Sequence, residues 1–159
     1  MRPILALLCV MFAGLGLAQP LPLTATIAGS RYGAKHIDVH PSGQYVAVVV
    51  SGSGQSPYWI YQFETGHGQL VKKIPLSTNP YQVRYSPDGF WAVVSYGSGN
   101  CDIYRTPEWT PYDSLRKNNP YLGNAVFDGV SRHLGIEGEH VYRMSDLQPM
   151  LVTRQGNPY

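Results

Sequence analysis

His36-Ile37-Asp38-Val39-His40-Pro41-Ser42-Gly43-Gln44-Tyr45-Val46-Ala47-Val48 aligns without a gap with Gln82-Val83-Arg84-Tyr85-Ser86-Pro87-Asp88-Gly89-Phe90-Trp91-Ala92-Val93-Val94, at an offset of 46 residues. Each stretch reads strand, turn, strand. Proline presets the backbone for the first central position of a type I turn, and glycine takes the left-handed position that follows. A three-residue loop of this kind closes a β-hairpin.

The likeness continues downstream. Tyr58-Trp59-Ile60-Tyr61-Gln62-Phe63 matches Asn100-Cys101-Asp102-Ile103-Tyr104-Arg105, and both match Glu139-His140-Val141-Tyr142-Arg143, with an aliphatic residue followed by Tyr in each. A fourth strand is expected in each unit, over 69–74, 110–115 and 150–153, with Gly66 or Pro149 marking the turn before it in two of the three. The third unit is degraded. Phe127 to Leu134 keeps the strand spacing but has no Pro, and Ser131 stands where Gly is expected, so a different turn is predicted there. The tripeptide Asn-Pro-Tyr at 79–81, 119–121 and 157–159 marks the step from unit to unit. Proline cannot donate to a ladder, which suits a connection leaving an outer strand.

Repeats of this length and strand content resemble the YVTN and WD-repeat-like β-propellers. The resemblance rests on Val83 to Val94, followed by a Gly/Ser loop and an aliphatic-Tyr strand; His36 to Ile74 is similar to the lactonase-type propellers. It spans about residues 36–155 and implies an all-β fold: a partial propeller of three four-stranded antiparallel blades, at about 36–78, 79–118 and 119–159. The Trp-Asp dipeptide of true WD-repeats is absent, since Tyr61-Gln62 and Tyr104-Arg105 stand in its place. Closed propellers typically have 4–8 blades. Three blades leave edges that must be paired or covered. A homodimer closing a six-blade ring, an open arc docked on a partner, and a truncated piece of a longer propeller all follow as alternatives. The chain's stop at Tyr159, within the third Asn-Pro-Tyr, suits the last of these, and a strand-like segment Leu23–Ala28 suits the first two.

Residues 1–18 read as a cleavable signal helix: Arg2 is positive, 3–17 are uncharged and mostly apolar, and Gly16-Leu17-Ala18 offers a small-residue cleavage site. About fifteen apolar residues fall short of the roughly 20 needed to span a bilayer. The expected product is a periplasmic or secreted protein with one extra strand and linker over 19–35 and no membrane span. Its charge is nearly balanced, so nothing basic enough for nucleic acid remains. Only Cys101 survives cleavage, so no internal disulfide can form, and its expected place is a strand core.

The chemistry-bearing candidates are few. His36, Asp38 and His40 alternate along one strand and point the same way, the arrangement of a possible metal site, although polar residues facing a wet channel explain them as well. Glu137 and Glu139 form a candidate carboxylate pair beside Arg132, His133 and His140. If the lactonase-type resemblance extended to activity, a base would come from His36, His40 or Glu139, with Arg84 steadying the developing anion. No nucleophile elbow and no phosphate loop is present. Among the aromatic residues Tyr58, Trp59, Tyr61, Tyr81, Trp91, Tyr96, Trp109 and Tyr112, most are expected to pack blade against blade, where large rings contribute area. Tyr58, Trp59, Tyr96, Trp109 and Tyr112 are also candidate ligand or partner contacts, because Tyr and Trp anchor protein interfaces. No cofactor is called for. The residues point to a non-enzymatic exported scaffold that binds a protein or cell-envelope ligand.

Overall fold

The computed structural model describes residues 33–50, 58–116, 124–136 and 140–152. The signal segment, Leu23–Ala28, Glu137, Glu139 and the second and third Asn-Pro-Tyr lie outside these described residues. Twelve strands form three four-stranded antiparallel sheets, each made of strands consecutive in sequence. The first blade holds β1 (Ala34–Val39), β2 (Tyr45–Val50), β3 (Tyr58–Glu64) and β4 (Leu70–Leu76). The second holds β5 (Pro80–Tyr85), β6 (Trp91–Tyr96), β7 (Cys101–Arg105) and β8 (Thr110–Leu115). The third holds β9 (Ala125–Phe127), β10 (His133–Ile136), β11 (His140–Arg143) and β12 (Pro149–Val152). Strand β1 lies against β5, and β5 against β9, so the first strand of each blade is innermost.

The hairpin turn behaves as its sequence dictates. Gly43 and Gly89 are left-handed, at φ 70° and 74°, and their N–H groups donate to the His40 and Ser86 carbonyls. The third turn corrects the sequence reading. Ser131 adopts the same conformation at φ 58°, and its N–H donates to the Asp128 carbonyl, so the turn is unchanged although Pro and Gly are both gone. Two contacts offset the strain of placing a side chain there. The Ser131 hydroxyl accepts the N–H of Asp88 from the neighbouring blade at 2.9 Å, and the Asp128 carboxylate accepts the N–H groups of Arg132 and His133. Pro80 is the first residue of inner strand β5, and Pro149 the first of β12, positions that ask for no ladder N–H.

Stacking explains why the middle strands are apolar without alternation. Strand β6 of the middle blade reads Trp-Ala-Val-Val-Ser-Tyr because both of its faces are covered, Ala92, Val94 and Tyr96 by the first blade and Trp91 and Val93 by the third. Ala47 and Val49 join Ile60, Ile74 and Leu76 against Val83, Tyr85, Ala92, Val94, Tyr96 and Tyr104 of the second blade. Val93, Cys101 and Ile103 on the other side of that blade meet Ala125, Leu134, Ile136, Tyr142, Met144 and Leu147 of the third. Each fully buried aliphatic side chain contributes about 1.5–3 kcal/mol. Cys101 is fully buried within this packing.

The stack has a direction. In every blade one face, here called upstream, turns to the preceding blade and the other, downstream, to the next. The upstream set is Val83, Tyr85, Ala92 and Val94 in the second blade and Ala125, Leu134 and Ile136 in the third. In the first blade the same positions are Ile37, Val39, Val46 and Val48, and no further sheet covers them among the described residues. Val48, Val50 and Tyr61 are buried there beside Val46, Trp59 and Phe63, while Ile37 and Val39 are each 53% exposed.

Candidate binding surfaces

The inner-strand polar residues are set by alternation: His36, Asp38 and His40 are half-buried and face the second blade, as the sequence requires. They do not converge. The Asp38 carboxylate accepts the N–H of Tyr85 at 2.7 Å and lies 3.8 Å from the Arg84 guanidinium. His40 turns away to the hairpin. Its Nδ1 accepts the Ser42 N–H at 3.2 Å, which places the ring proton on Nε2, and Nε2 donates to the Gly89 carbonyl at 3.0 Å. Among the described residues no group of three His, Cys, Asp or Glu side chains could hold a metal ion. The metal reading of His36, Asp38 and His40 is therefore corrected, because Asp38 is drawn to Tyr85 and Arg84 and His40 to the hairpin, away from His36.

His36 keeps its chemistry. Burial and the nearby Arg84 guanidinium push its pKa below the ordinary 6.5, with Asp38 pulling the other way. Its Nδ1 is buried with no hydrogen-bond partner among the described residues. His40 is a clamp between blades, wedged edge-on against Tyr45 and Tyr85, and its ring nitrogens are already engaged. His133 pairs with Asp128 at 2.8 Å. Burial, the largest single influence, raises the Asp128 carboxyl, but the His133 ring and the two backbone donors together hold it below the usual carboxylate range.

The aromatic candidates divide. Tyr96 and Trp109, only 1% and 3% exposed, are core residues rather than surface anchors, which corrects their reading as contacts. Trp109 sits at φ 56° in the turn between β7 and β8 and plugs the junction of the first two blades, packed on Tyr85 and Tyr104. Tyr96 donates its hydroxyl to Asp102. Burial, together with that bond, raises its pKa strongly, and Tyr104 beside it is pushed up to about 12, chiefly by burial. Tyr58 packs half-buried against the same core. Trp59 and Tyr112 carry cations. Lys73 Nζ lies 4.1 Å from the Trp59 ring, and the Arg105 guanidinium lies 4.7 Å from Trp91 and 5.0 Å from Tyr112.

Two clefts adjoin these residues. The larger, about 410 Å³, opens between the outer parts of the first two blades and is lined by Pro75, Ser77, Asp102, Tyr112 and Arg116 among others. In its wall Asp102 also accepts the Ser114 hydroxyl at 2.6 Å and Arg116 at 2.9 Å. The smaller, about 220 Å³, lies by Lys35, Asn79, Tyr81 and Gly97. Sequence reading missed the Asp102 network and the Arg105 stack. The pairing of Trp91 with Arg105 across β6 and β7 was the available signal for the second, once register was known.

No protein-family profile matches the sequence, and no curated protein matches it. Solved structures do resemble the fold. The WD40 repeats of RRP9 superpose with a TM-score of 0.66 at 13% identity, over 77% of this chain and 38% of that one. The U3-55K structure gives 0.66 at 12% identity, over 77% and 39%. The Dos1 propeller gives 0.59 at 13% identity, over 76% and 32%. The chain thus spans about two fifths or less of the length of these propellers. At such identity the likeness speaks for fold alone. Three stacked four-stranded sheets, superposable on part of longer propellers, make this chain a partial β-propeller with the WD40-type fold.

Proposed function

We propose that the chain is an exported, YVTN-like scaffold, periplasmic or secreted, that works by binding a protein or cell-envelope ligand rather than by catalysis. One observation carries this reading: among the described residues the outer faces of the first and third blades carry exposed aliphatic residues, Ile37 and Val39 on one side and Val126 on the other. Exposed apolar surface of this kind marks interaction sites. The cation-bearing rings of Trp59 and Tyr112 supply further anchors near the rim, the residue types that dominate binding hot spots. The longer WD40-type structures superposed above agree with a fold suited to protein interaction. Closure of the arc by a second copy belongs to the same proposal.

The test has two arms. Mature protein immobilised and exposed to an envelope extract should capture a discrete protein, and capture should fall at least tenfold in a Trp59→Ser, Tyr112→Ser double variant. Incubation with a panel of small lactones should yield no turnover; a lactone rate abolished by His36→Ala would replace the scaffold reading with a hydrolase.

A further inference from the structure

We infer that the two end faces are made for each other: the downstream face of the third blade in one copy seats on the upstream face of the first blade in a second copy, and the reciprocal contact closes a six-blade ring. This rests on the reading of the chain as a protein-binding scaffold and names the partner and the mode.

The interior junctions supply the pattern. At both, the downstream face offers a polar inner-strand side chain to a backbone N–H of the next blade: Asp38 accepts from Tyr85, and the Gln82 side-chain carbonyl accepts from Ala125 at 3.0 Å. At both, the hairpin turn of one blade also bonds that of the next, His40 to the Gly89 carbonyl and the Asp88 N–H to Ser131. On the inner strands the upstream positions are apolar, Val83 and Tyr85 in the second blade and Ala125 and Phe127 in the third.

The third blade departs from this pattern at two positions. Val126 stands where the earlier blades have Asp38 and Arg84, and Val130 stands where they have Ser42 and Asp88. Both valines lie on the part of the blade that addresses a following blade, and they are 64% and 66% exposed. The first blade departs in the complementary way. Its inner strand presents Ile37 and Val39 to the position of a preceding blade, where the second blade buries Val83 and Tyr85. Gly68 occupies the left-handed turn position that Trp109 and Leu147 hold in the other blades, at φ 66° against 56° and 53°. Those two side chains plug their junctions, whereas a Cβ at Gly68 would meet nothing within 4 Å.

Two exposed valines on the downstream face therefore wait at one end, and at the other two exposed aliphatic residues beside a turn whose Gly68 leaves open space. By equivalence with Asp38 and Tyr85, Val126 of one copy falls beside Val39 of the other. By equivalence with Asp88 and Ser131, Val130 falls beside Gly43, whose carbonyl is bonded by Thr65 at the start of the Gly68 turn. A head-to-tail pair of three-blade arcs gives six blades, within the range of closed propellers.

The experiment is light scattering of the purified chain and of two charge variants, with circular dichroism confirming that each stays folded. Wild type should run at twice the mass of one chain. Val39→Lys and Val126→Glu should each raise the dissociation constant at least tenfold. Mixing the two should restore the dimer, because one junction is then native and the other pairs Lys with Glu. A monomeric wild type would overturn the ring altogether. A dimer that tolerates Val126→Glu, or a mixture that stays monomeric, would overturn the pairing of faces while leaving capture of an envelope partner intact. Should either variant unfold, Ile37→Lys and Val130→Glu take their places with the same expectations.

Discussion

Gly43 and Gly89 hold the same turn position in surroundings that differ. Both are left-handed, so replacement by Ala costs each about 1 kcal/mol of backbone strain. Only Gly89 is crowded, since a Cβ there would fall 2.8 Å from the His40 ring, which is itself bonded to the Gly89 carbonyl. Gly89→Ala should therefore lower stability by at least about 2 kcal/mol and Gly43→Ala by about 1, a difference that denaturant unfolding resolves. His36 gives the second prediction at this scale. Its folded pKa lies below 6.5, so the unfolded chain takes up the proton first. The stability it contributes is complete above that value and is lost as pH falls through the region below it. The melting temperature should drop between pH 7.5 and 5.5, and His36→Gln should flatten that slope. Residue reading was good where a turn residue announces itself, as Pro41 and Gly43 do. It failed at Ser131, where a bond to Asp88 from another blade sustains a conformation that local preference argues against.

The turn between the third and fourth strands shows the limits at the element scale. Strand order and pairing were legible from the recurring aliphatic-Tyr core and the hairpin chemistry. Trp109 was legible only as one of several rings, most of them expected to pack between blades. It sits beside Thr110 in an exposed-looking turn, and only its left-handed backbone swings the ring into the junction. Trp109→Ala should cost about 3–5 kcal/mol, the usual penalty for emptying an aromatic site, and should weaken the contact of the first two blades more than that of the second and third. Hydrogen exchange read blade by blade would show the asymmetry. Tyr96 departs from its reading as a contact because the register of β6 on β7 brings its hydroxyl to Asp102. Tyr96→Phe should cost about 1–3 kcal/mol by leaving that carboxylate one donor short.

For the whole molecule, the number of sheets and their succession could be read from the repeat, while the roles of their two faces could not. Upstream and downstream sides differ by one residue of register, and the difference acquires meaning only when the blades are stacked. Among the candidate site residues, alternation correctly put His36, Asp38 and His40 on one side. What they bind depended on Tyr85, Arg84 and Gly89, which sequence alone does not bring near. If a second copy closes the arc, the melting temperature should rise with protein concentration, since association withdraws folded chains from the equilibrium. Calorimetry over a hundredfold range of dilution would detect this, and a melting point indifferent to dilution would count against association.

The one-way stacking has a consequence for how such a chain fails. Contacts that run from the tail of one molecule to the head of another end in a closed loop only when the turn per molecule divides the circle evenly; otherwise they continue indefinitely as a fibre. A substitution that altered the pitch between blades, without harming any single sheet, would therefore be expected to turn a soluble particle into a filament, visible under the electron microscope long before spectroscopy registered any loss of β-structure.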